Sequence, residues 1–244
     1  MRMSTTEFER AFFASDPAYD VHFVAAVRTT DIFCRPSCRV RKPLPKNVTF
    51  LADAAAARAA GYRACLRCHP DDAVPVRTRE IDTPIGPMTI GATDDAVVLC
   101  DFSRRPMMPA QLASVRRRFG PTVDAPSPLL DAVEAQLGEF FAGERQDFDL
   151  PIDLPGSEFQ ERVWSELRRI PYGHTIAYRE LAERVGAPQA PRAVGRANGS
   201  NRLAIIVPCH RVIASGGGLG GYGGGLDAKR WLLELESVSV PATA

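Results

Sequence analysis

No apolar run in the sequence approaches the roughly 20 residues that a membrane-spanning helix requires. The first 16 residues set Glu7, Glu9 and Arg10 among apolar ones and lack the uninterrupted hydrophobic stretch of a signal peptide. The expectation is a cytoplasmic protein. Neither sign of charge is in excess: 30 Lys and Arg against 29 Asp and Glu leave a net +1. Tryptophan is scarce, at two residues, yet hydrophobic residues make up 45% and charged residues 24% of the 244. That balance excludes collagen-like, coiled-coil and wholly disordered chains. The length fits one large domain or roughly two to three small ones. No Gly-Lys-Ser/Thr accompanies the eight glycines of 216–225, and little chain follows them. The formal G-x-G-x-x-G at Gly216–Gly221 is therefore not expected to bind a nucleotide in a βαβ unit. The glycines read instead as a loop whose backbone can approach a ligand closely, or as a flexible connection, with Tyr222 its one large side chain.

The near-zero net charge conceals an uneven distribution. Residues 1–78 carry +4, residues 79–155 carry −6 and residues 156–213 carry +4. Two basic segments flanking an acidic one point to a polyanionic partner, of which nucleic acid is the commonest, or to an ordinary mixed surface.

Six cysteines occupy positions 34, 38, 65, 68, 100 and 209. Disulfides are not expected in a cytosolic chain. Cys34-x3-Cys38 and Cys65-x2-Cys68 are two short-spaced pairs, each able to clamp one side of a tetrahedron, which is the pattern of a structural zinc site. His69 adjoins the set, but four sulfurs already complete it. Cys100 ends the apolar run Ala96–Leu99 and reads as a core strand residue. Cys209 differs. In Ile205-Ile206-Val207-Pro208-Cys209-His210-Arg211, a proline ends a buried strand and turns the thiol out of it. The neighbouring His210 and Arg211 are expected to lower its pKa and favour a nucleophilic thiolate.

Three segments follow. In the first, short strands are expected within 20–33, and Asp53 caps a helix at 54–60 that leads to Cys65 and Cys68. Residues 70–78 read as a linker. The second segment opens with strand-like runs at 81–93 and 96–102 joined at Asp94-Asp95, and continues with helices at 109–119 and 129–141. In the third, Ser157 and Gln160 form a capping box ahead of a helix ended by Pro171. Two short helices, 178–185 and 191–198, form a helix-turn-helix candidate. Arg192 and Arg196 share a face of the second, as DNA contacts or as plain surface charge. The last helix, 227–236, leaves Glu236 at the edge of its apolar face, where a carboxylate is ordinarily solvated but also within reach of an imidazole.

The segment Pro208-Cys209-His210-Arg211-Val212 resembles the active-site motif of the O6-alkylguanine-DNA alkyltransferases. The likeness extends through Phe159–Trp164, Gly173–Ala182, Arg192-Ala193-Val194-Gly195, Asn201, the glycine-rich loop and Trp231-Leu232-Leu233. Thr83-Pro84-Ile85-Gly86-Pro87 is similar to that family's N-terminal subdomain. Separately, Ala26–Thr30, Ile32–Cys38, Ala60–Arg63 and Cys65-x2-Cys68 resemble an Ada-type zinc domain.

The resemblances imply an α+β chain in three parts. A small four-cysteine zinc domain spans 1–78, an RNase H-like α/β subdomain 79–155, and a helical, winged-helix-like catalytic domain with the helix-turn-helix 156–244. They imply that Cys209 accepts an alkyl group from O6 of guanine, and from O4 of thymine. His210 is then the base acting through a water, Glu236 the carboxylate holding the imidazole, and Asn201 a brace. Arg192 becomes the finger that replaces a flipped-out base, Tyr178 the residue crowding the phosphate, Tyr222 a pocket residue, and Arg196 a further DNA contact. Cys34 is implied as both zinc ligand and methyl acceptor from a DNA phosphotriester, with Cys38, Cys65 and Cys68 as the other ligands. The implied partner is double-stranded DNA carrying alkylated bases or phosphotriesters, met by a monomer with one Zn²⁺ and no organic cofactor. Ada proteins carry an AraC-type segment between the two modules. Here the alkyltransferase hairpin follows Cys68 almost at once, so the alternative of a methylation-sensing transcriptional regulator is not expected.

Overall fold

The computed structural model describes residues 4–70 and 75–238, so part of the 70–78 linker reading lies outside the described residues. The chain is mixed α+β and divides into two compact units, Met1–Val76 with Leu112–Val123 and Arg77–Gln111 with Asp124–Ala244. Among the described residues no helix is long and apolar enough to cross a membrane.

The first unit begins with α1 (Thr5–Ala14), which the sequence reading did not anticipate. A capping box makes it: Ser4 Oγ accepts from Glu7 N at 3.3 Å, and Ser4 N donates to Glu7 Oε2 at 2.9 Å. The helix buries Ala11 and Phe12. Phe8 and Phe23 stack at 4.4 Å between centroids, and Phe23 meets Phe50 edge-on at 5.3 Å. Next come β1 (Val24–Val27), β2 (Ile32–Cys34), β3 (Val48–Leu51), α2 (Ala54–Ala59) and β4 (Arg63–Ala64). The sheet order is β3-β1-β2-β4, with β4 parallel to β2. Asp53 caps α2 as expected, accepting from Ala56 N at 2.7 Å.

The second sheet is built from β5 (Val76–Ile81), β6 (Met88–Ala92), β7 (Val97–Phe102) and β8 (Thr122–Asp124), in the order β7-β6-β5-β8, with α3 (Met108–Arg118) between β7 and β8. The run 81–93 thus holds the last residue of β5, a turn and β6. Thr83–Gly86 turns the chain between the two strands, with Gly86 at φ +105°, a region open to glycine. All six residues of β7 are buried, although it edges its sheet. Flanking backbone covers that edge: Val97 N donates to Pro151 O and Cys100 N to Arg202 O, both at 2.8 Å. Cys100 lies there in the core, as read.

α4 (Pro128–Phe141) packs Leu130, Val133, Leu137 and Phe140 against the sheet. α5 (Glu158–Leu167) starts at the expected Ser157–Gln160 capping box. β9 (Ile176–Ala177), α6 (Tyr178–Arg184), α7 (Pro191–Gly199), β10 (Val212–Ile213) and α8 (Leu226–Leu235) follow, with β9 and β10 parallel.

Ile205–Val207 is not the strand expected from its composition. Ile205 sits at φ +72°, and the segment makes only isolated bridges before a 3-10 turn at Cys209–Arg211. Tertiary burial of all three side chains outweighs their strand propensity.

Gly156 gives a stability prediction. A Cβ there would lie 2.5 Å from Trp164 Cζ3. The indole is held in place, since its Nε1 donates to Ala197 O at 2.8 Å. Gly156→Ala is expected to overpack this contact and destabilise the second unit by about 1–3 kcal/mol. A urea titration followed by tryptophan fluorescence checks it, and an unshifted midpoint would refute it.

Candidate active site and metal centre

The fold gathers the four N-terminal cysteines through one strand pairing. β2 ends at Cys34, β4 runs parallel beside it, and Cys65 N donates to Phe33 O at 3.0 Å. A turn brings Cys38 back, its N–H meeting Arg35 O at 3.1 Å. Arg35 N donates to Cys68 Sγ at 3.4 Å, an amide–sulfur contact that favours a thiolate. The four sulfurs lie within 4.8 Å of one another. Zinc–sulfur bonds of about 2.3 Å in a tetrahedron require edges of roughly 3.8 Å, and four soft donors with no oxygen ligand suit Zn²⁺. The donor set therefore fits one zinc ion.

Cys209 opens the 3-10 turn after Pro208 and is 7% exposed. It lines a cavity of about 380 Å³ with Tyr178, Asn198, Tyr222 and the backbone of Gly221. Two asparagines hold the turn. Asn198 Nδ2 donates to Cys209 O at 3.4 Å, and Asn201 Nδ2 to Val207 O at 2.9 Å. The expected lowering of the thiol pKa does not occur. Burial pushes it up, and the hydrogen bond from Asn201 offsets this only in part. Arg211 turns away from the sulfur and spends its charge on Glu236.

His210 is fully buried, and its Nε2 lies 2.7 Å from Glu236 Oε1. Glu236 also accepts from Arg211 Nε at 3.0 and 3.1 Å, from Arg211 Nη2 at 3.0 Å and from Gly173 N at 3.1 Å. Burial raises the carboxyl pKa, but the bonds from His210 and Arg211 outweigh it and hold it below the ordinary value. An ionised Glu236 assigns the proton to Nε2, which leaves Nδ1 as a lone pair without a protein partner among the described residues. Burial holds the imidazole pKa below its ordinary value, so His210 is neutral near pH 7. The carboxylate–imidazole pair is thus an oriented base.

Of the residues singled out in the sequence, Tyr178, Cys209 and Tyr222 line this cavity, Asn201 bonds the turn before Cys209, and His210 pairs with Glu236 without lining it. The Tyr222 ring lies 6.4 Å from His210 and 5.6 Å from Phe102. Arg192 and Arg196 sit exposed on α7. Asn198, Arg211 as the partner of Glu236, and Lys229 were not singled out for these roles. Lys229 is fully buried, and its Nζ donates at 2.5 Å to Val212 O and to Leu219 O, pinning the glycine-rich loop to β10. Burial brings its pKa down to about 8. A basic residue in the first turns of a helix carries no sequence signal for such a bond.

A buried thiol followed in the chain by a carboxylate-held imidazole, together with a cluster of four further thiols, defines a protein with cysteine-centred chemistry. Comparison with known proteins narrows the class. Residues 158–238 match the model of the 6-O-methylguanine DNA methyltransferase DNA-binding domain, and residues 7–71 that of the metal-binding domain of Ada. A methylated-DNA–protein-cysteine methyltransferase of Mycolicibacterium paratuberculosis is 48% identical over 172 residues, 69% of this chain and 96% of its own. The bifunctional transcriptional activator/DNA repair enzyme Ada of Escherichia coli is 28% identical over 337 aligned residues, 92% of this chain and 94% of its own. The crystal structure of Mycobacterium tuberculosis OGT in complex with DNA superposes with a TM-score of 0.57 at 44% identity, over 67% of this chain and 92% of that one. The chain belongs to the methylated-DNA–protein-cysteine methyltransferase family and carries an Ada-type metal-binding domain.

Proposed function

We propose that the chain repairs DNA by direct reversal, moving the methyl group of O6-methylguanine, and of O4-methylthymine, irreversibly onto Cys209. The observation that carries this reading is the Cys209 thiol in the wall of the 380 Å³ cavity, next in sequence to an imidazole held at 2.7 Å by a buried carboxylate. Cys209 Sγ attacks the methyl carbon, the S–C bond forming as the O6–C bond breaks. Guanine leaves with the bonding electrons. The thiol proton passes through a bridging water to His210 Nδ1, whose basicity Glu236 sustains. A base inside a duplex cannot reach this cavity, so the nucleotide is flipped out. Arg192 fills the gap, Arg196 contacts the backbone beside it, and Tyr178 and Tyr222 border the base. Asn201 braces the turn that carries the thiol. Each thiol is used once.

Cys34 is the second acceptor in this reading. It lines a separate cavity of about 460 Å³ with Thr29, Thr30, Arg41 and Lys42, a cationic approach for the charged phosphodiesters that flank a neutral phosphotriester. Zinc, held by Cys34, Cys38, Cys65 and Cys68, would keep all four thiols deprotonated. The parts are then a zinc domain at 1–78, an RNase H-like subdomain at 79–155 and a winged-helix-like catalytic domain at 156–244, in a cytoplasmic monomer acting on double-stranded DNA.

The test is peptide mass after exposure to two duplexes, one carrying only O6-methylguanine and the other only methylphosphotriesters. One methyl on Cys209 from the first and one on Cys34 from the second are expected. An unmodified Cys209 overturns the repair reading, and an unmodified Cys34 leaves the N-terminal centre structural.

A pH profile follows from the two shifts. The imidazole is neutral above its lowered pKa, and the thiol stays protonated until above its raised one. Between them the reacting pair is neutral thiol and neutral base. The limiting transfer rate is expected to be flat from about pH 7 to about 8.5 and to fall only below about 6.5. A rate climbing tenfold per pH unit across that range would instead show that the reacting thiolate is formed by loss of its proton to solvent, and exclude His210 as the base.

A further inference from the structure

We propose that Arg105 is a positioning residue for transfer at Cys209, a clamp that fixes the two sides of the thiol cavity to each other. The proposal rests on the repair reading above. The residue stands in the turn Ser103-Arg104-Arg105-Pro106 after β7, a place where arginines are ordinarily solvated. The structure buries it instead, at 9% exposure, against the fully buried Asp101. Asp101 Oδ2 accepts from Arg105 Nη1, while Asp101 Oδ1 accepts from Phe102 N at 2.9 Å.

A buried ion pair of this kind contributes little net stability over an apolar replacement. Its placement is better explained by what the guanidinium holds. Nη2 donates to Gly199 O, and Nη1 to Asn201 O at 3.3 Å. These two carbonyls lie within the segment 198–201, whose asparagines, Asn198 and Asn201, bond Cys209 O and Val207 O. One planar fork thus sets the end of α7 and, through it, the turn that carries the sulfur.

The same guanidinium lies flat under the glycine-rich loop on the other side of the cavity. A Cβ on Gly223 would fall 2.5 Å from Arg105 Cζ, and one on Gly224 would collide with the Phe102 ring. The tip of an arginine ordinarily swings aside, but Asp101, Gly199 and Asn201 hold this one. Both glycines are therefore required by contact with the turn after β7, and Tyr222 is set at the cavity because Gly223 and Gly224 are seated. Asp101, Phe102 and Arg105 all line the cavity with Cys209.

The experiment measures single-turnover methyl transfer with protein in excess, which separates DNA affinity from the limiting rate. Arg105→Met is expected to lower the limiting rate about tenfold or more while affinity changes less than about twofold, because sub-ångström misplacement of a reacting group is costly. Arg105→Lys is expected not to restore the rate, since an ammonium cannot reach both carbonyls and still lie flat under the loop. The decisive arm is a double-mutant cycle. Gly223→Ala slows transfer in the wild-type background and has no further effect in Arg105→Met, where the clash is gone. Rescue by Arg105→Lys, or full additivity of the two effects, overturns the clamp. Hydrogen exchange of the amides at 221–225 gives a readout without DNA: faster exchange in Arg105→Met is expected, and unchanged exchange refutes the proposal. If the wild type transfers no methyl, the repair reading fails, while the exchange result still decides the clamp.

Discussion

Glu236→Gln is expected to slow methyl transfer to Cys209 by about 10²- to 10⁴-fold, the usual worth of a positioned base, and to destabilise the second unit by about 3–5 kcal/mol. Four donors converge on this carboxylate: His210 Nε2, Arg211 Nε, Arg211 Nη2 and Gly173 N. All are held in place by the fold, and the Arg211 side chain is 6% exposed. An amide offers one acceptor oxygen and turns an N–H₂ toward donors that cannot accept. The Arg211 cation is then buried without a counter-charge, although Nη1 still reaches Ile170 O at 2.7 Å. His210 loses the partner that fixes its tautomer, so Nδ1 no longer presents a lone pair in every molecule. Urea unfolding and single-turnover transfer measure the two effects. A variant with wild-type midpoint and rate would show that the convergence of donors on Glu236 is incidental. The stability loss and the rate loss are separable, because transfer is read per folded molecule at low denaturant.

Metal removal has the largest expected effect on the first unit. Cys34, Cys38 and Cys65 belong to the same buried cluster as Ala11, Phe12, Phe23 and Ala25, so the ligand sulfurs are part of the core itself. Cys34 ends a strand of three residues, and the strand that leads into Cys65 has two. Strands this short do not hold a sheet without help. Structural zinc contributes an apparent binding free energy of about 10–16 kcal/mol at pH 7, and here that is folding free energy. Chelation, or Cys65→Ser, is expected to abolish amide protection across 24–65, while transfer at Cys209 persists. Retained protection after complete metal loss would show that the aromatic cluster of Phe8, Phe23 and Phe50 suffices alone.

Much of the site was legible in the residue order. Pro208-Cys209-His210 set a thiol next to an imidazole in the chain, and two short cysteine pairs pointed to the cluster of four sulfurs that the fold gathers. Ser157 with Gln160 and Asp53 marked helix starts, because capping is a local exchange of hydrogen bonds. The errors arose where local pattern and tertiary environment disagree. Ile205-Ile206-Val207 has strand composition, but it is bent through a positive φ to bring Cys209 into the cavity. Arg211 looked like an activator of the adjacent thiol. Successive side chains of a tight turn point in different directions, and the guanidinium went to a carboxylate 25 residues away. Ser4 with Glu7 is a capping box by the same rule as Ser157 with Gln160, so the start of α1 was legible in the residue order too.

What the sequence by itself determined is local: which thiol is followed by an imidazole, which four cysteines come in short-spaced pairs, and where helices begin. These depend on neighbours three or four residues apart, or on a motif within one turn. Only the tertiary structure decided the electrostatic state of those groups. The Cys209 thiol is raised, the His210 imidazole kept neutral and the Glu236 carboxylate kept ionised by burial and by partners distant in sequence. Arg105 and Lys229 likewise gained their roles from the carbonyls that folding placed around them. A pKa and a clamp depend on desolvation and on converging dipoles, and neither exists until the chain has closed around the group.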